Sequence, residues 1–439
     1  MVQNERMRAI RLGLLGCGTV GGGVVRLIAD NAAKNAARVG APVEVGPVLV
    51  RDPSKERVPE LDRARLTTRP EDVLDAPDVD VVVEVMGGLE PTRGYVARAI
   101  EQGKQVVTAN KMLLAMHGPE IIAAATARGV DLAFEASVGG GIPIIRVLRD
   151  SFASDVIEEV VGIVNGTSNY VLTRMLRDGL SFDAAVKDAQ DKGYAEADPS
   201  LDVDGFDAAH KLSVLAMLGL GGYVHPDAIP TEGLRAIESA DHAFAARFGY
   251  VLKSLAIGRA VGERVDLRVH PALVKRDSTL ASVVGVSNAV LLRGRAVGPC
   301  MLTGRGAGDL PTAVSVVADV LDVARAKVSG KTGLFTKSLR TGEKPTIDRG
   351  EITARTYLRF EVYDRPGVLA RITGALGDAH VSIEQMLQDG GGDASGSPVS
   401  VVMLTHAARE SAVDRALAAI AAGDYVARPP KRIRVLEDS

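Results

Sequence analysis

Five carboxylates crowd ahead of one lysine in the stretch GYAEADPSLDVDGFDAAHK, residues 193–211. Glu196, Asp198, Asp202, Asp204 and Asp207 precede Lys211, and the chain then turns apolar, with no charged residue from 212 to 222. Asp207 and Lys211 stand four apart, which puts them on one face of a helix. On a surface helix that spacing makes an ordinary ion pair. Here Val214 and Leu218 continue the Lys211 stripe and the helix is apolar all round, as a buried helix is. A lysine entering a buried helix beside clustered acids is either tightly paired or positioned for chemistry.

A second lysine stands in Thr108-Ala109-Asn110-Lys111, where a strand gives way to the run MLLAM. Asn110 can cap that helix, which leaves Lys111 in its first turn, the end of the dipole that disfavours a cation. A plain exposed lysine is one reading; an anionic cofactor or substrate group opposite it explains the position better. Gly16-Cys17-Gly18-Thr19-Val20-Gly21 follows a strand and opens a helix. Gly16 permits the tight turn, Gly18 lets the backbone approach a pyrophosphate, and Gly21 allows close helix–sheet packing. The phosphates then meet a helix N-terminus. The second strand ends Val50-Arg51-Asp52, where Arg51 favours the 2′-phosphate of NADP and Asp52 keeps NAD open. The glycines of EASVGGGIP, residues 135–143, expose carbonyls beside Glu135. That suits a hard cation or an interdomain hinge, and the residues alone favour the hinge. Gly304-Arg305-Gly306-Ala307-Gly308 is a second glycine-rich turn before a helix.

These residues need elements to hold them. Strands are expected at 10–15, 43–50, 80–85, 105–108 and 131–135, separated by helices, the first at 20–33. That alternation predicts an α/β unit over 1–142, a Rossmann-type doubly wound parallel sheet. Residues 143–303 read as an α+β catalytic and dimerisation domain. A strand at 157–165 leads into GTSNYVLTRML, where Thr167 or Ser168 can cap a helix. Further strands are expected at 265–269 and 287–292. The apolar helix at 312–326, within 304–328, is expected to pack back on the first unit. A Gly/Lys/Pro-rich linker, 329–354, separates a last unit, 355–439. Its strands at 357–363, 381–388, 399–405 and 433–436 and helices at 368–379 and 409–422 give the order βαββαβ, with a polar loop GGGDASGSP. That size suits regulation better than catalysis.

Composition narrows the classes. The chain of 439 residues has room for two or three domains. A net charge of -3 gives no electrostatic reason to expect nucleic acid or an acidic membrane as partner. Two cysteines build neither a disulfide framework nor a thiolate metal site. Cys17 falls in the phosphate loop and Cys300 in a turn, so neither reads as a covalent nucleophile. The seven histidines are scattered, and zinc is not expected. No apolar run approaches the roughly 20 residues that span a bilayer. The first residues read as a short tail into a strand, and a cytoplasmic location is expected.

Taken in order, GCGTVG, TANK, EASVGGGIP, NGTSNY, GYAEADPSLDVDGFDAAHK and GRGAGDLPTA resemble homoserine dehydrogenase, in the single-chain form with a C-terminal ACT domain. The segment Asp364-Arg365-Pro366-Gly367-Val368-Leu369-Ala370 carries the ACT likeness. The resemblance implies reversible NAD(P)H-dependent reduction of L-aspartate 4-semialdehyde to L-homoserine, a step toward threonine and methionine. It implies Lys211 as proton donor and Lys111 as a second essential lysine near the nicotinamide. Glu196 and Asp207 would hold the substrate amino group, with Thr167 and Tyr194 lining the site. Gly193 and Gly308 would close over the cofactor. Glu135 with the carbonyls of Val138, Gly140 and Ile142 would form a structural sodium site, which displaces the hinge reading. Each lysine is expected to lower the other's pKa. The missing cysteine nucleophile argues against an aspartate-semialdehyde dehydrogenase, and the short N-terminal stretch leaves no room for a fused kinase. The ACT-like unit is expected to sense threonine and to pair through sheet edges in a dimer or tetramer. Cutting the chain before Arg355 is expected to spare catalysis. The alternative is a non-catalytic amino-acid sensor that holds a dinucleotide as a structural ligand.

Overall fold

A computed structural model describes residues 8–337, 339–389 and 398–437; most of the expected N-terminal tail and polar loop lies outside them. Short, largely apolar runs make the first sheet: β1 Ile10–Leu15, β2 Val43–Leu49, β3 Leu66–Thr67, β4 Val81–Glu84, β5 Gln105–Thr108 and β6 Leu132–Ala133. They pair in parallel in the order β3-β2-β1-β4-β5-β6. This is the doubly wound dinucleotide-binding order, with its switch point between β1 and β4. All four residues of β4 are buried, as a strand covered on both faces requires. The helix Asp309–Val328 returns to this sheet, as expected. Its Ala313, Val316 and Val320 share a core with Leu12, Leu14 and Val24.

The second sheet takes β7 Ile157–Ile163, β8 Tyr250–Val261, β9 Arg264–Lys275, β10 Ser287–Gly294 and β11 Gly298–Arg305. Reading the sequence missed β8 and β11 and found only the first half of β9. The β9 run carries Asp266, Arg268, His270 and Pro271, which break the apolar alternation although all four are buried. Cys300, expected in a turn, lies in β11 opposite Leu292.

A short pair, β12 Thr353–Ala354 with β16 Ala408–Arg409, flanks the last unit. Its main strands are β13 Thr356–Tyr363, β14 Ile383–Asp389, β15 Pro398–Thr405 and β17 Val426–Val435, with helices Val368–Asp378 and Glu410–Ala421. The βαββαβ order is as expected. The separation is not. β17 pairs in parallel with β9 through Arg434↔Ala272 and Val435↔Leu273, so one sheet runs β11-β10-β7-β8-β9-β17-β13-β15-β14. Leu358, Phe360 and Met403 face the unit's own helices. The alternate residues Tyr357, Leu404 and Ile433 share a core with Val171 and Phe244, on helices Gly166–Asp178 and Ser239–Arg247.

The stretch expected as a linker is hydrogen-bonded rather than free. Tyr223 N–H donates to Gly342 O (2.9 Å), Lys344 N–H to Tyr223 O (2.8 Å) and Ile347 N–H to Val265 O (2.9 Å). Among the described residues, no helix is long and apolar enough to cross a membrane.

Candidate active site

The helix Phe206–Gly219 begins after Gly205, whose φ of +91° is a left-handed value that glycine adopts without strain. Its burial brings Asp207 and Lys211 inside. Lys211 Nζ donates to Asp207 Oδ2 (2.7 Å) and to Val164 O (2.6 Å). Asp207 Oδ1 lies 3.0 Å from Lys111 Nζ. The Asn110 side chain caps the helix Lys111–Arg128 by accepting from Leu113 N–H (3.0 Å). Asp207 is therefore the anion that makes sense of a lysine in that first turn. The two lysines differ in access: the Lys111 side chain is 40% exposed and that of Lys211 is 11% exposed.

Burial lowers the Lys211 pKa against the pull of Asp207, and the Lys111 charge adds to the lowering. Lys111 goes the other way. Burial opposes its charge, but Asp207, then Asp202 and Glu196, outweigh it and raise the pKa. The expected mutual lowering holds for one lysine only. Burial works to raise the Asp207 carboxyl, yet the two lysines hold it well below the usual carboxylate range.

The acid run divides by partner. Asp204 is spent on Arg235 (2.6 and 3.0 Å), and Asp198 accepts from Ser200 N–H (3.0 Å) in its own turn. Glu196 is exposed, with no partner for its carboxylate among the described residues. Asn165, which the sequence reading did not single out, donates to Asp202 Oδ1 (2.7 Å) and Asp207 Oδ2 (2.8 Å). Asn165, rather than Thr167 or Ser168, also caps the helix Gly166–Asp178, accepting from Ser168 N–H (2.8 Å). The NGT motif was visible; its bridge to acids some 40 residues away was not.

A cleft of about 650 Å³ opens over these groups, and Lys111, Thr167, Tyr194, Glu196, Asp207 and Lys211 all line it. Gly193 and Gly308 stand on its rim, both at positive φ. The Thr167 hydroxyl donates to Tyr194 O (2.8 Å), and the Tyr194 ring packs edge-on against Tyr170. A second cleft of about 300 Å³ lies at the ends of β4 and β5 and reaches Val20 and Gly140. The two clefts meet at Lys111, Lys211, Gly306 and Ala307.

The phosphate loop has the form a dinucleotide needs. Gly16 has φ +99°, a side chain at Gly21 would strike Gly16 O at 2.6 Å, and nothing lies within 4 Å of the place a Gly18 side chain would take. The helix Thr19–Asp30 has no side-chain cap, so its first amides are free for phosphate. Arg51 is exposed at the end of β2, away from both clefts. Asp52 is turned into its own loop by Ser54 N–H (2.9 Å). Arg57, which the sequence reading passed over, reaches the loop instead, donating to Cys17 O and to Asp52 O.

Glu135 is 2% exposed, and its carboxylate accepts from the N–H groups of Ile145 (2.9 Å) and Arg146 (2.8 Å). Burial first, and then Asp319, push its carboxyl up to about 7. The Gly140 carbonyl accepts from Ser315 Oγ (2.7 Å). The Arg146 guanidinium also lies 3.8 Å from this carboxylate. Among the described residues, no group of three or more His, Cys, Asp or Glu is placed to hold a metal.

The chain is similar to known proteins along most of its length. Residues 143–321 match the family described as "Homoserine dehydrogenase", residues 16–135 match "Homoserine dehydrogenase, NAD binding domain", and residues 356–422 match "ACT domain". A homoserine dehydrogenase of Bacillus subtilis is 43% identical over 382 residues, 87% of this chain and 88% of that one. One from Synechocystis is 42% identical over 97% of this chain and 99% of its own. The crystal structure of a homoserine dehydrogenase from Thiobacillus denitrificans superposes with a TM-score of 0.90 at 42% identity, covering 98% of this chain and 99% of the other.

Proposed function

The chain belongs to the homoserine dehydrogenase family, and on that premise we propose how its own residues carry the reversible, NAD(P)H-dependent reduction of L-aspartate 4-semialdehyde to L-homoserine. The meeting of two clefts at Lys111 and Lys211 carries the reading. The residues of the smaller cleft would hold a nicotinamide, which when bound would supply the hydride in reduction and take it back in oxidation. As the aldehyde becomes an alkoxide, the two ammonium groups stabilise the growing negative charge. Lys211, its pKa lowered by burial, gives its proton to that oxygen and takes it back in the reverse direction. Lys111, held charged by Asp207, supplies a fixed positive field.

Glu196, with Asp202 beside it, takes the substrate ammonium. Asp207 adds its charge while its oxygens orient both lysines and Asn165. Thr167 and Tyr194 wall the site, and Gly193 and Gly308 let the rim approach the ligands. On the cofactor side, Gly16, Gly18, Thr19, Val20 and Gly21 cradle the pyrophosphate. Arg51, just past β2, and Arg57, in the loop that follows, favour NADP over NAD, since Asp52 is occupied by its own turn. Glu135 and the carbonyls of Val138, Gly140 and Ile142 would hold a sodium ion that stiffens the interdomain segment and takes no part in the chemistry.

Threonine is the effector in this reading. The uncapped start of the helix Val368–Asp378, after Gly367 at φ +88°, offers free amides to an amino-acid carboxylate. The β14 edge, at the end of the long sheet with Met386 exposed, suits edge pairing in a homodimer or tetramer. Cytoplasmic residence completes the proposal, because the substrates are small charged molecules. Both lysines and the acid run in one cleft speak against a non-catalytic sensor.

The test is NADP⁺ and NAD⁺ reduction with L-homoserine, with and without L-threonine. Faster turnover with NADP⁺ and suppression by threonine are expected. No reduction of either cofactor would sink the reading. Activity that ignores threonine would remove only the effector.

A further inference from the structure

Beneath the smaller cleft lies a buried carboxylate that the proposed chemistry leaves unused. Glu84 ends β4 at the switch point of the parallel sheet, where its main chain pairs with Leu15 on one side and Thr108 on the other. It borders the cleft but is 0% exposed, and no lysine, arginine or histidine pairs with it among the described residues. Burial pushes its carboxyl up. A strand covered on both faces would be cheaper to bury with a fourth valine at this position. The acid has to be explained by what it holds.

It holds two limbs of a closed ring. Its Oε1 accepts from the N–H groups of Met86 and Gly87 (2.9 Å each), and its Oε2 accepts from the Thr108 hydroxyl (2.5 Å). Thr108 Oγ1 accepts in turn from Asn110 N–H (3.0 Å), and Asn110 Nδ2 donates to Gly88 O (2.7 Å), which closes the ring. Gly87 and Gly88 stand at φ +71° and +75°, and the Thr92 hydroxyl holds Gly87 O from outside (2.7 Å). The limbs serve different neighbours. Residues 85–87 line the smaller cleft and lie against the phosphate loop, where a side chain on Gly16 would stand 3.0 Å from Met86 Cα. The other limb is the cap of the helix Lys111–Arg128, where Asn110 Oδ1 accepts from Leu113 N–H (3.0 Å). A buried polar network with its members satisfied is stiff.

We infer that Glu84 is a positioning residue for hydride transfer: it ties the turn 86–88, a wall of the smaller cleft, to the first turn of the Lys111 helix, so that the cofactor wall and the Lys111 charge keep one register. Its oxygens are occupied by the ring, so it acts through its neighbours and not by touching a ligand. This rests on the reading that gives the smaller cleft to the nicotinamide and Lys111 to the aldehyde oxygen.

The experiment compares full-length wild type, Glu84→Ala, Glu84→Gln and Thr108→Val by fluorescence titration with NADPH and by steady-state homoserine oxidation. Glu84→Ala frees both limbs. Its kcat should fall about a hundredfold, as for reacting groups misplaced by an ångström, and its Kd for NADPH should rise. The KM for homoserine should hold, because the acid run of the larger cleft lies outside the ring. Glu84→Gln should recover most of both losses, since its Oε1 can still accept from the two turn amides and its Nε2 can donate to Thr108 Oγ1. Thr108→Val keeps the turn and cuts the Lys111 limb, so kcat should fall about tenfold, as for one lost hydrogen bond, with NADPH affinity retained. If Glu84→Ala does not fold, the valine and glutamine variants carry the test. An unchanged kcat in Glu84→Ala or Thr108→Val overturns the inference, as does a loss confined to the homoserine KM. So does a glutamine variant as poor as alanine, which would make charge and not position the property that counts. Wild type inactive on homoserine with both NADP⁺ and NAD⁺ would instead bring down the reading beneath it.

Discussion

Two clusters of buried charge lie in this molecule, and they serve opposite ends. In the cleft, Asp207 is shared by Lys111 and Lys211. At the seam between the last unit and the rest, Arg434 is shared by Glu232 and Glu410, with contacts of 2.9, 2.9 and 2.8 Å and a further short one to Glu410. Both are desolvated and both shift pKa values: Arg434 is raised, its two carboxylates prevailing over burial. Burial and perturbation do not tell them apart. Unused bonding capacity does. The guanidinium fork at the seam is filled by matching carboxylates, a geometry that fixes structure. In the cleft two cations meet one anion beside an open volume of about 650 Å³, and the Glu196 carboxylate on the same wall has no hydrogen-bond partner among the described residues.

The comparison can be broken, most severely by removing the seam. A chain ended before Arg355 loses Tyr357, Leu404 and Ile433 and bares the core around Val171 and Phe244. Size-exclusion chromatography and circular dichroism should find no folded, soluble enzyme. A stable, active truncation would show the seam to be dispensable. Next in size, Lys211→Ala should lower kcat by about a thousandfold, within the span of general acid–base catalysis, with NADP⁺ affinity retained. Turnover near wild type would make the cleft cluster as structural as the seam.

Arg434→Ala should act on the other quantity. Buried Glu410 and half-buried Glu232 lose the guanidinium they share, while Arg349 still reaches Glu410 at 3.1 Å, a loss of about 2–3 kcal/mol in unfolding free energy, read by denaturant titration. The molecules still folded should keep kcat within a few-fold; a collapse of kcat alone would place the seam in the mechanism. The smallest effect sharpens rather than breaks the comparison. Homoserine oxidation needs neutral Lys211, so kcat/KM should rise with pH through an inflection below the ordinary lysine value of 10.5. Asp207 raises that pKa, so Asp207→Asn should move the rising limb to still lower pH at reduced maximal rate. A shift to higher pH would take the proton from Lys211.

How much of this could be read in advance varies with the reach of each interaction. GCGTVG, the Asn110 cap and the βαββαβ order are local patterns, in which turn residues, caps and hydrophobic period act over a few positions. The chain alone therefore determined the parallel sheet, the phosphate loop and the presence of two lysines and an acid run. It did not sort the acids. Arg235 claims Asp204 from 31 residues away, and Asn165 claims Asp202 and Asp207 from 37 and 42 away. It hid the second half of β9, where buried His270 and Pro271 break the apolar alternation. The last unit looked detachable because its own period is complete, yet the second face of its sheet is apolar too and had to be covered. Which acid faces substrate, which lysine is held charged and where one unit ends were decided by partners distant in sequence, and such partners exist only once the chain is folded.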